Sequence, residues 1–464
     1  MPEVVEPTLT GKLAGMSLPR QVLALAIWPL LEQVMAFAVG TVDLVLAGRL
    51  SPVAKTIAGT DALGVTSFIG WLMMLMEMAV GIGAAAIIAR AVGARHRRLA
   101  NAALGQALVL AVLVGVGIGA AIAAAAPAIG RFCHLSGLAL DYCVTYLRLI
   151  ALAAPLTSVQ FVGMSCLRAA GDTRSPFLVM LVVNIVNVIA SVLLTFGPAP
   201  IGGHEVAGIA GGTAIAWAAG CILVVALLIR GSPVMRLRWL RLQPHAHTLQ
   251  RIVRVGMPNF FESAGMWAGN FVVVKIVGLL GAQADAGYLG AHMIAVRIES
   301  LSFLPGVAMG TAAATLVGQY LGAGSIPRAK RAALLCWLAG MTMMFMLGLM
   351  FICIPARLVW LISDAPLHLT LSPPLLRIAG CIQVFFASYV VLSHVLRGAG
   401  DTRTAMLVSY ASTYLVRVPG AWFIGVHLGY GLTGVWLALC GELVVRGSAF
   451  AFFFLRGKWA HVRV

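Results

Sequence analysis

The chain has 464 residues, 61 % of them apolar and only 10 % charged, with a formal net charge of +17. With a mean hydropathy of +0.98, this composition excludes a soluble domain, because water-facing surfaces need far more charge. Hydrocarbon cannot satisfy backbone groups, so the spans must be helices of about 20 apolar residues or closed barrels; long runs of Leu, Ala, Val and Met, not short alternating strands, select helices.

In chain order, the first predicted helix covers 23–47 and carries Pro29, Glu32, Gln33, Met35, Phe37 and Asp43. The second, 62–90, holds Glu77 in MMLMEMA and runs into ARAVGAR at 89–95. The third and fourth cover 102–126 and 143–167, the fourth ending on LRAAGDTR at 167–174. The fifth, 176–197, contains Asn184 and Asn187, read as interhelical hydrogen-bonders, and the sixth covers 206–229. The stretch 230–255, with its basic RLRWLRLQPHAH, reads as a linker that forms a short amphipathic helix on the inner leaflet.

The second set begins at 256–280 with Pro258, Phe260, Phe261, Glu262, Met266, Trp267, Asn270 and Lys275. It continues at 288–318 with Arg297 and Glu299, at 332–355, at 374–396 running into LRGAGDTR (396–403), at 404–425 with Arg417, and at 431–455. Landmarks of the first half return in the second at a constant offset of 229 residues: the GDTR loops, Gly93 with Gly322, Arg148 with Arg377, Pro29 with Pro258. The chain therefore reads as a tandem duplication with an N-terminal lobe over 1–229, a linker over 230–255 and a C-terminal lobe over 256–464. The fold class is an all-α integral membrane protein of twelve transmembrane helices in two pseudo-symmetric six-helix lobes, an arrangement of secondary transporters.

The positive charge marks orientation and implies no nucleic acid. Arginines crowd alternate loops, around Arg95, Arg97 and Arg98, around Arg168 and Arg174, through 230–254, and at Arg328, Arg397, Arg403, Arg456 and Arg463. The intervening loops hold scattered charges such as Lys55, Arg131, Asp285, Arg357 and Asp364. The positive-inside rule then puts both termini in the cytoplasm. No cleavable signal peptide is read before the first helix. The eight cysteines lack metal-ligand spacing; Cys133 and Cys143 flank an outer loop and either pair or stay free thiols.

LRAAGDTRSP and LRGAGDTRTA resemble the signature loop of the MATE (multidrug and toxic compound extrusion) exporters. VGTVDLVLAGRL at 39–50, ARAVGAR, VGQYLGAG at 317–324 and YGLTGVWLA at 430–438 resemble other blocks of that family, so the likeness covers nearly the whole chain. The resemblance implies two lobes forming a V around a central cavity, in a bacterial cytoplasmic membrane. It implies export of small organic, often cationic compounds against inward flow of protons or sodium, by a chain whose two lobes can work as a monomer. Asp43 matches the helix-1 aspartate that family members use in cation coupling. One branch has a helix-7 carboxylate eight residues after the proline and a helix-10 aspartate; here those positions are Met266 and Phe386, so that sodium site is not reproduced. PLLEQ and PNFFE resemble a different bacterial branch with glutamates nearer the prolines.

Ionisable residues inside a membrane cost about 2.5–3.5 kcal/mol each on insertion scales, so they are functional candidates. Glu32, Asp43 and Glu262 are the candidates for cation coupling, with H⁺ or Na⁺ as coupling ion. Competition of ion and substrate for one negative charge is the simplest antiport mechanism. Glu32 and Glu262 also admit a duller role, as partners of a cytoplasmic-side arginine or caps of kinked helices. Gln33, Met35, Phe37, Phe261, Met266, Trp267 and Asn270 are the candidate substrate-contacting residues, since aromatic faces and thioethers suit organic cations.

Glu77 has no repeat equivalent (Gly306 stands there) and is expected to salt-bridge locally; Arg297, Glu299, Lys275 and Arg417 are expected to be charge partners within the membrane. In the GDTR loops, Gly171 and Gly400 allow a tight turn, Asp172 and Asp401 cap the next helix, and the arginines anchor to lipid phosphates. A flippase for a lipid-linked precursor or polysaccharide is the alternative; carrying pyrophosphate cargo, it would need arginines or lysines in its cavity, whereas carboxylates in both lobes favour cations. No HExxH, no GxSxG and no helix-spaced His pair is present, so neither an enzyme, a metal site nor a cofactor is expected; His245 and His247 fall in the basic linker.

Overall fold

A computed structural model describes residue 9 and residues 13–198, 200–284, 287–363 and 365–462. Asp285, Asp364 and Arg463 lie outside the described residues, as does the side chain of Phe37. Every regular element among the described residues is helical.

The first repeat gives α1 (Leu18–Ala47), α2 (Val53–Gly93), α3 (Arg97–Phe132), α4 (Gly137–Ala169), α5 (Arg174–Phe196) and α6 (Glu205–Arg230). The second gives α7 (Ala246–Ala284), α8 (Tyr288–Gly322), α9 (Ile326–Cys353) and a short α10 (Pro355–Trp360). It continues with α11 (Pro366–Cys381), α12 (Gln383–Ala399), α13 (Thr402–Ser412), α14 (Val418–Trp422) and α15 (Gly431–Arg456). Among the described residues ten helices are long and apolar enough to cross a membrane, and α11 with α12 forms an eleventh, broken span bent by 61°. The remaining predicted span, 404–425, runs as one helix from Thr402 to His427, with π-helical turns at Thr413–Arg417 and Phe423–His427 on either side of α14. Pro419, which has no N–H to donate, lies two residues past the first of them, and a widened turn is one way a helix carries such a residue. The protein is thus a multi-pass, all-helical membrane protein, and most of its helices run beyond their predicted ends.

The linker departs from expectation. Ala246–Val255 already belongs to α7, and the preceding segment holds a single 3₁₀ turn, Trp239–Arg241, in place of an amphipathic helix. The reason is local. Pro233 and Pro244 interrupt it, and its backbone is satisfied by side chains of α3. Gln106 Nε2 donates to Arg241 O (2.8 Å) and Gln243 O (2.7 Å), Gln106 Oε1 accepts from His245 N (2.8 Å), and Asn101 Oδ1 accepts from Arg236 N (2.8 Å).

The helices group into two units. One comprises Ile27–Met257 with Leu13 and Ala14; the other comprises Gly15–Ala26 and the chain from Pro258 onward. Both internal divisions fall just before a proline inside a helix, Pro29 in α1 and Pro258 in α7. The first unit closes around Leu46, Leu63, Ile122, Leu147 and Ile209, the second around Val277, Phe351, Leu375, Val435 and Trp436. Small residues set the spacing, as lipid-embedded packing requires. A Cβ on Gly115 of α3 would fall 2.6 Å from Pro155 Cα of α4.

The two GDTR loops have the same build. Gly171 and Gly400 adopt φ of +90° and +88°, and Asp172 and Asp401 each accept from the backbone N–H three residues on, at 3.2 and 3.3 Å. Cys133 and Cys143 are both free thiols, one exposed and one buried.

Candidate transport site

Asp43 lies near the end of α1 and is only 5 % exposed. Three other helices each aim one donor at it. Tyr146 of α4 donates its hydroxyl to Oδ2 (2.9 Å). Thr213 Oγ1 of α6 stands 3.0 and 2.9 Å from the two carboxylate oxygens. Asn187 Nδ2 of α5 lies 3.4 Å from Oδ1 and 2.9 Å from Thr213 Oγ1, while its own Oδ1 is buried without a partner. Among the described residues no arginine or lysine bonds to this carboxylate, and its partners are all neutral. A charge held only by dipoles in a medium of low dielectric is open to a proton or a small cation. The carboxylate, hydroxyl and amide oxygens gathered here are the ligand types of hard cations.

Glu32 and Glu262 are held differently. Glu32 Oε1 accepts from Arg168 Nη1 at 2.6 Å, and Glu262 Oε1 accepts from Arg397 Nη2 at 2.8 Å and from Ser409 Oγ at 2.7 Å. Arg168 and Arg397 are the arginines of the two LRxxGDTR loops, 229 residues apart, so each unit carries the same glutamate–arginine pair. The expectation that these two arginines reach lipid phosphates is therefore corrected: they turn inward to neutralise a carboxylate. In each pair the second oxygen, Glu32 Oε2 and Glu262 Oε2, is buried without a hydrogen bond. Removing one partner of such a pair costs about 3–5 kcal/mol, whereas removing both costs much less. Glu262→Leu alone is expected to lower the thermal midpoint in detergent more than Glu262→Leu combined with Arg397→Leu; the reverse order would show that the pair is not a stabilising unit.

The candidate substrate contacts do not share one environment. Glu262, Met266 and Asn270 stand four residues apart on one face of α7. That face meets arginines: Asn270 Oδ1 accepts from Arg417 Nη1 (2.5 Å), and Met266 Sδ lies 3.6 Å from both Arg446 Nη1 and Tyr389 Oη. Phe261 (48 % exposed) and Trp267 (37 %) are open on other faces of α7. Gln33 and Met35 are half-buried, and Met35 O accepts from Asn184 Nδ2 at 3.0 Å.

Sequence reasoning missed the most enclosed ionic cluster. Glu442 of α15 accepts from Arg417 Nε and Nη2 (3.0 and 2.7 Å) and from Arg446 Nε (2.6 Å). Arg446 also reaches Ser412 (2.8 Å) and Thr413 (2.7 Å) and lies over the Tyr389 ring, 4.8 Å from its centroid. The signal was present: CGELVVRG puts Glu and Arg four residues apart within an apolar span. Lys55, read only as a loop charge, pairs with Glu205 at 2.5 Å, and Tyr142 donates to the same carboxylate. Glu77 corrects an expectation, since its partners are the hydroxyls of Thr157 and Ser158 rather than a cation. Among the described residues, no group of three His, Cys, Asp or Glu side chains could hold a metal ion.

Repeated helical units that bury single carboxylates within their spans define a multi-pass membrane transporter. The chain belongs to the MatE family, whose model matches residues 29–193 and 258–423, once in each repeat. The chain is 27 % identical over 440 residues to the probable multidrug resistance protein NorM of Thermotoga maritima, covering 95 % of this chain and 93 % of that one. It is 26 % identical over 459 residues to the multidrug resistance protein MdtK of Edwardsiella ictaluri, covering 95 % of each. A crystal structure of a MATE protein in its bent conformation superposes with a TM-score of 0.87 at 18 % identity, over 96 % of this chain and 97 % of that one.

Proposed function

We propose that this protein is a cation-coupled antiporter that exports small organic, cationic compounds by alternating access. It sits in a bacterial cytoplasmic membrane with both termini in the cytoplasm. The observation that carries the reading is Asp43: a membrane-buried carboxylate bonded only to neutral donors, able to exchange a coupling ion. Its relatives are named as multidrug resistance proteins, which supports drug-like cargo. The coupling ion is a proton or sodium; both suit a site built of oxygen ligands. A flippase for pyrophosphate-linked cargo is disfavoured, because Arg397, Arg417 and Arg446, buried in the second unit, each already hold a carboxylate.

The test uses the full chain in liposomes with proton and sodium gradients imposed separately. Efflux of a fluorescent organic cation is expected under at least one of the two gradients and not when both are absent. If neither gradient drives it and a lipid-linked pyrophosphate crosses instead, the antiporter reading is lost.

A further inference from the structure

Besides Asp43, the first unit buries another carboxylate that has only neutral partners. Glu77 of α2 is 6 % exposed, and its Oε1 accepts from Thr157 Oγ1 at 2.8 Å and Ser158 Oγ at 3.1 Å, both on α4. Oε2 accepts nothing from the described residues. Charged groups on the packed elements are remote or engaged. On α4, Arg148 and Arg168 are nine and eleven residues from Thr157, roughly 13 and 16 Å along the axis, and Arg168 holds Glu32. On α2, Asp61 and Arg90 are sixteen and thirteen residues away, roughly 24 and 20 Å. Arg97, Arg98 and Arg131 stand at the ends of α3. On α7, which passes α2 at Ala79 and Gly83, Arg254 is exposed and Arg251 half-buried, and neither bonds to Glu77. On α1, Glu32 and Asp43 are bonded elsewhere.

The geometry is built for two protonation states. Close approach of α3 fixes the stretch Ala154–Ser158: a Cβ on Gly115 would fall 2.8 Å from Ala154 O and 2.9 Å from Ser158 Oγ. Thr157 Oγ1 has one hydrogen and two acceptors in reach, Glu77 Oε1 at 2.8 Å and Ala154 O at 2.9 Å. With Glu77 ionised, both hydroxyls donate to Oε1. With Glu77 protonated at Oε1, the acid donates to Thr157 Oγ1, whose hydrogen swings to Ala154 O. Hydrogen bonding is kept in both states while the heavy atoms stay in place, because a hydroxyl both donates and accepts. Glu32, Glu262 and Glu442 are instead each held by a guanidinium group, which only donates and so favours the charged carboxylate.

The repeat supplies an independent argument. The 229-residue offset puts Gly306, Phe386 and Ala387 where Glu77, Thr157 and Ser158 stand. The acid and both hydroxyls occur together in one unit and are all absent from the other, where Phe386 stacks on Phe303 and Tyr389 instead. A six-helix unit of this kind is therefore built without the trio, and a scaffold role does not account for it.

We propose that Glu77 is a proton-binding carboxylate of the transport cycle, distinct from Asp43, taking one proton onto Oε1 and releasing it to water. A proton fits better than a metal ion, because in the ionised state both hydroxyls point hydrogens, not lone pairs, at the acid. The proposal rests on the antiporter reading and adds a titrating group to Asp43.

Infrared difference spectra of the full chain in lipid vesicles, between acidic and alkaline buffer, read the proton directly. Glu77→Gln is expected to remove one protonated-carboxyl band that Asp43→Asn leaves in place. Protons taken up per exported cation, followed with a pH dye inside the vesicles, are expected to fall by one. An unchanged spectrum or an unchanged ratio overturns the proposal. If Glu77→Gln does not fold, Thr157→Val keeps the acid, removes the reversible partner, and is expected to shift the midpoint of that band; an unmoved midpoint also overturns it. If no gradient drives export by the wild type, the antiporter reading fails, while the spectra still decide whether Glu77 titrates.

Discussion

Asp43→Asn is expected to abolish gradient-driven export in liposomes and to leave the protein folded. Asparagine has nearly the shape of aspartate, so α1 keeps its packing against α4, α5 and α6. Its carbonyl still accepts from Tyr146, and its amide can donate to Thr213 once that hydroxyl turns. What disappears is the charge, and with it any reason for a coupling ion to enter the cradle. The driving force lost is not small: each charge moving inward contributes about 2.3 kcal/mol per 100 mV, close to fiftyfold in a concentration ratio. Export is expected to fall to the level of empty liposomes, while a fluorescent cation still binds the purified variant within a few-fold of wild type. Normal uphill export by Asp43→Asn would remove this carboxylate from the coupling mechanism.

The contrast between repeats explains what the sequence could and could not reveal. The GDTR loops and the kinked prolines recur at a fixed offset, so the fold was legible from spacing alone. The features repeated in both halves make contacts within each unit: the glycine turns, the aspartate caps, and the Glu32–Arg168 and Glu262–Arg397 pairs, whose glutamates stand one residue off the common offset. Charges that break the repeat have the unusual surroundings. At the 229-residue offset Asp43 corresponds to Val272, Glu77 to Gly306, and Glu442 to Thr213, the very residue that donates to Asp43. One position on the last helix of each repeat thus serves opposite electrostatics, a donor to a carboxylate in one and a carboxylate between arginines in the other.

Asp43 itself was readable as an acid in an apolar run. Its partners were not, because Tyr146, Asn187 and Thr213 lie 103, 144 and 170 residues away in the chain. The linker was misread for a similar reason: its helix-like pattern of Arg, Leu and Trp could not disclose that Asn101 and Gln106 would claim its backbone.

Glu442→Gln is expected to have the largest effect on stability of any single substitution in the second unit. The carboxylate is fully buried and, among the described residues, is the only acid bonded to Arg417 and Arg446, which are 8 % and 0 % exposed. Glutamine keeps the volume and one acceptor but leaves two guanidinium groups side by side in a membrane-embedded core. Losing one partner of a buried pair costs about 3–5 kcal/mol, and here two arginines lose theirs at once. The thermal midpoint in detergent is expected to drop sharply, and the yield of folded protein with it. Arg417 closes the π-helical turn at Thr413–Arg417, so the same change releases that turn, and protection of its amides from hydrogen exchange should fall more than that of α4 or α6. Adding Arg417→Leu to Glu442→Gln should recover part of the loss, because one uncompensated charge is then gone and Arg446 keeps Ser412 and Thr413 as acceptors. A Glu442→Gln variant as stable as wild type would mean that water or lipid already neutralises these arginines. The cluster would then be a hydrated pocket and not a closed ionic knot.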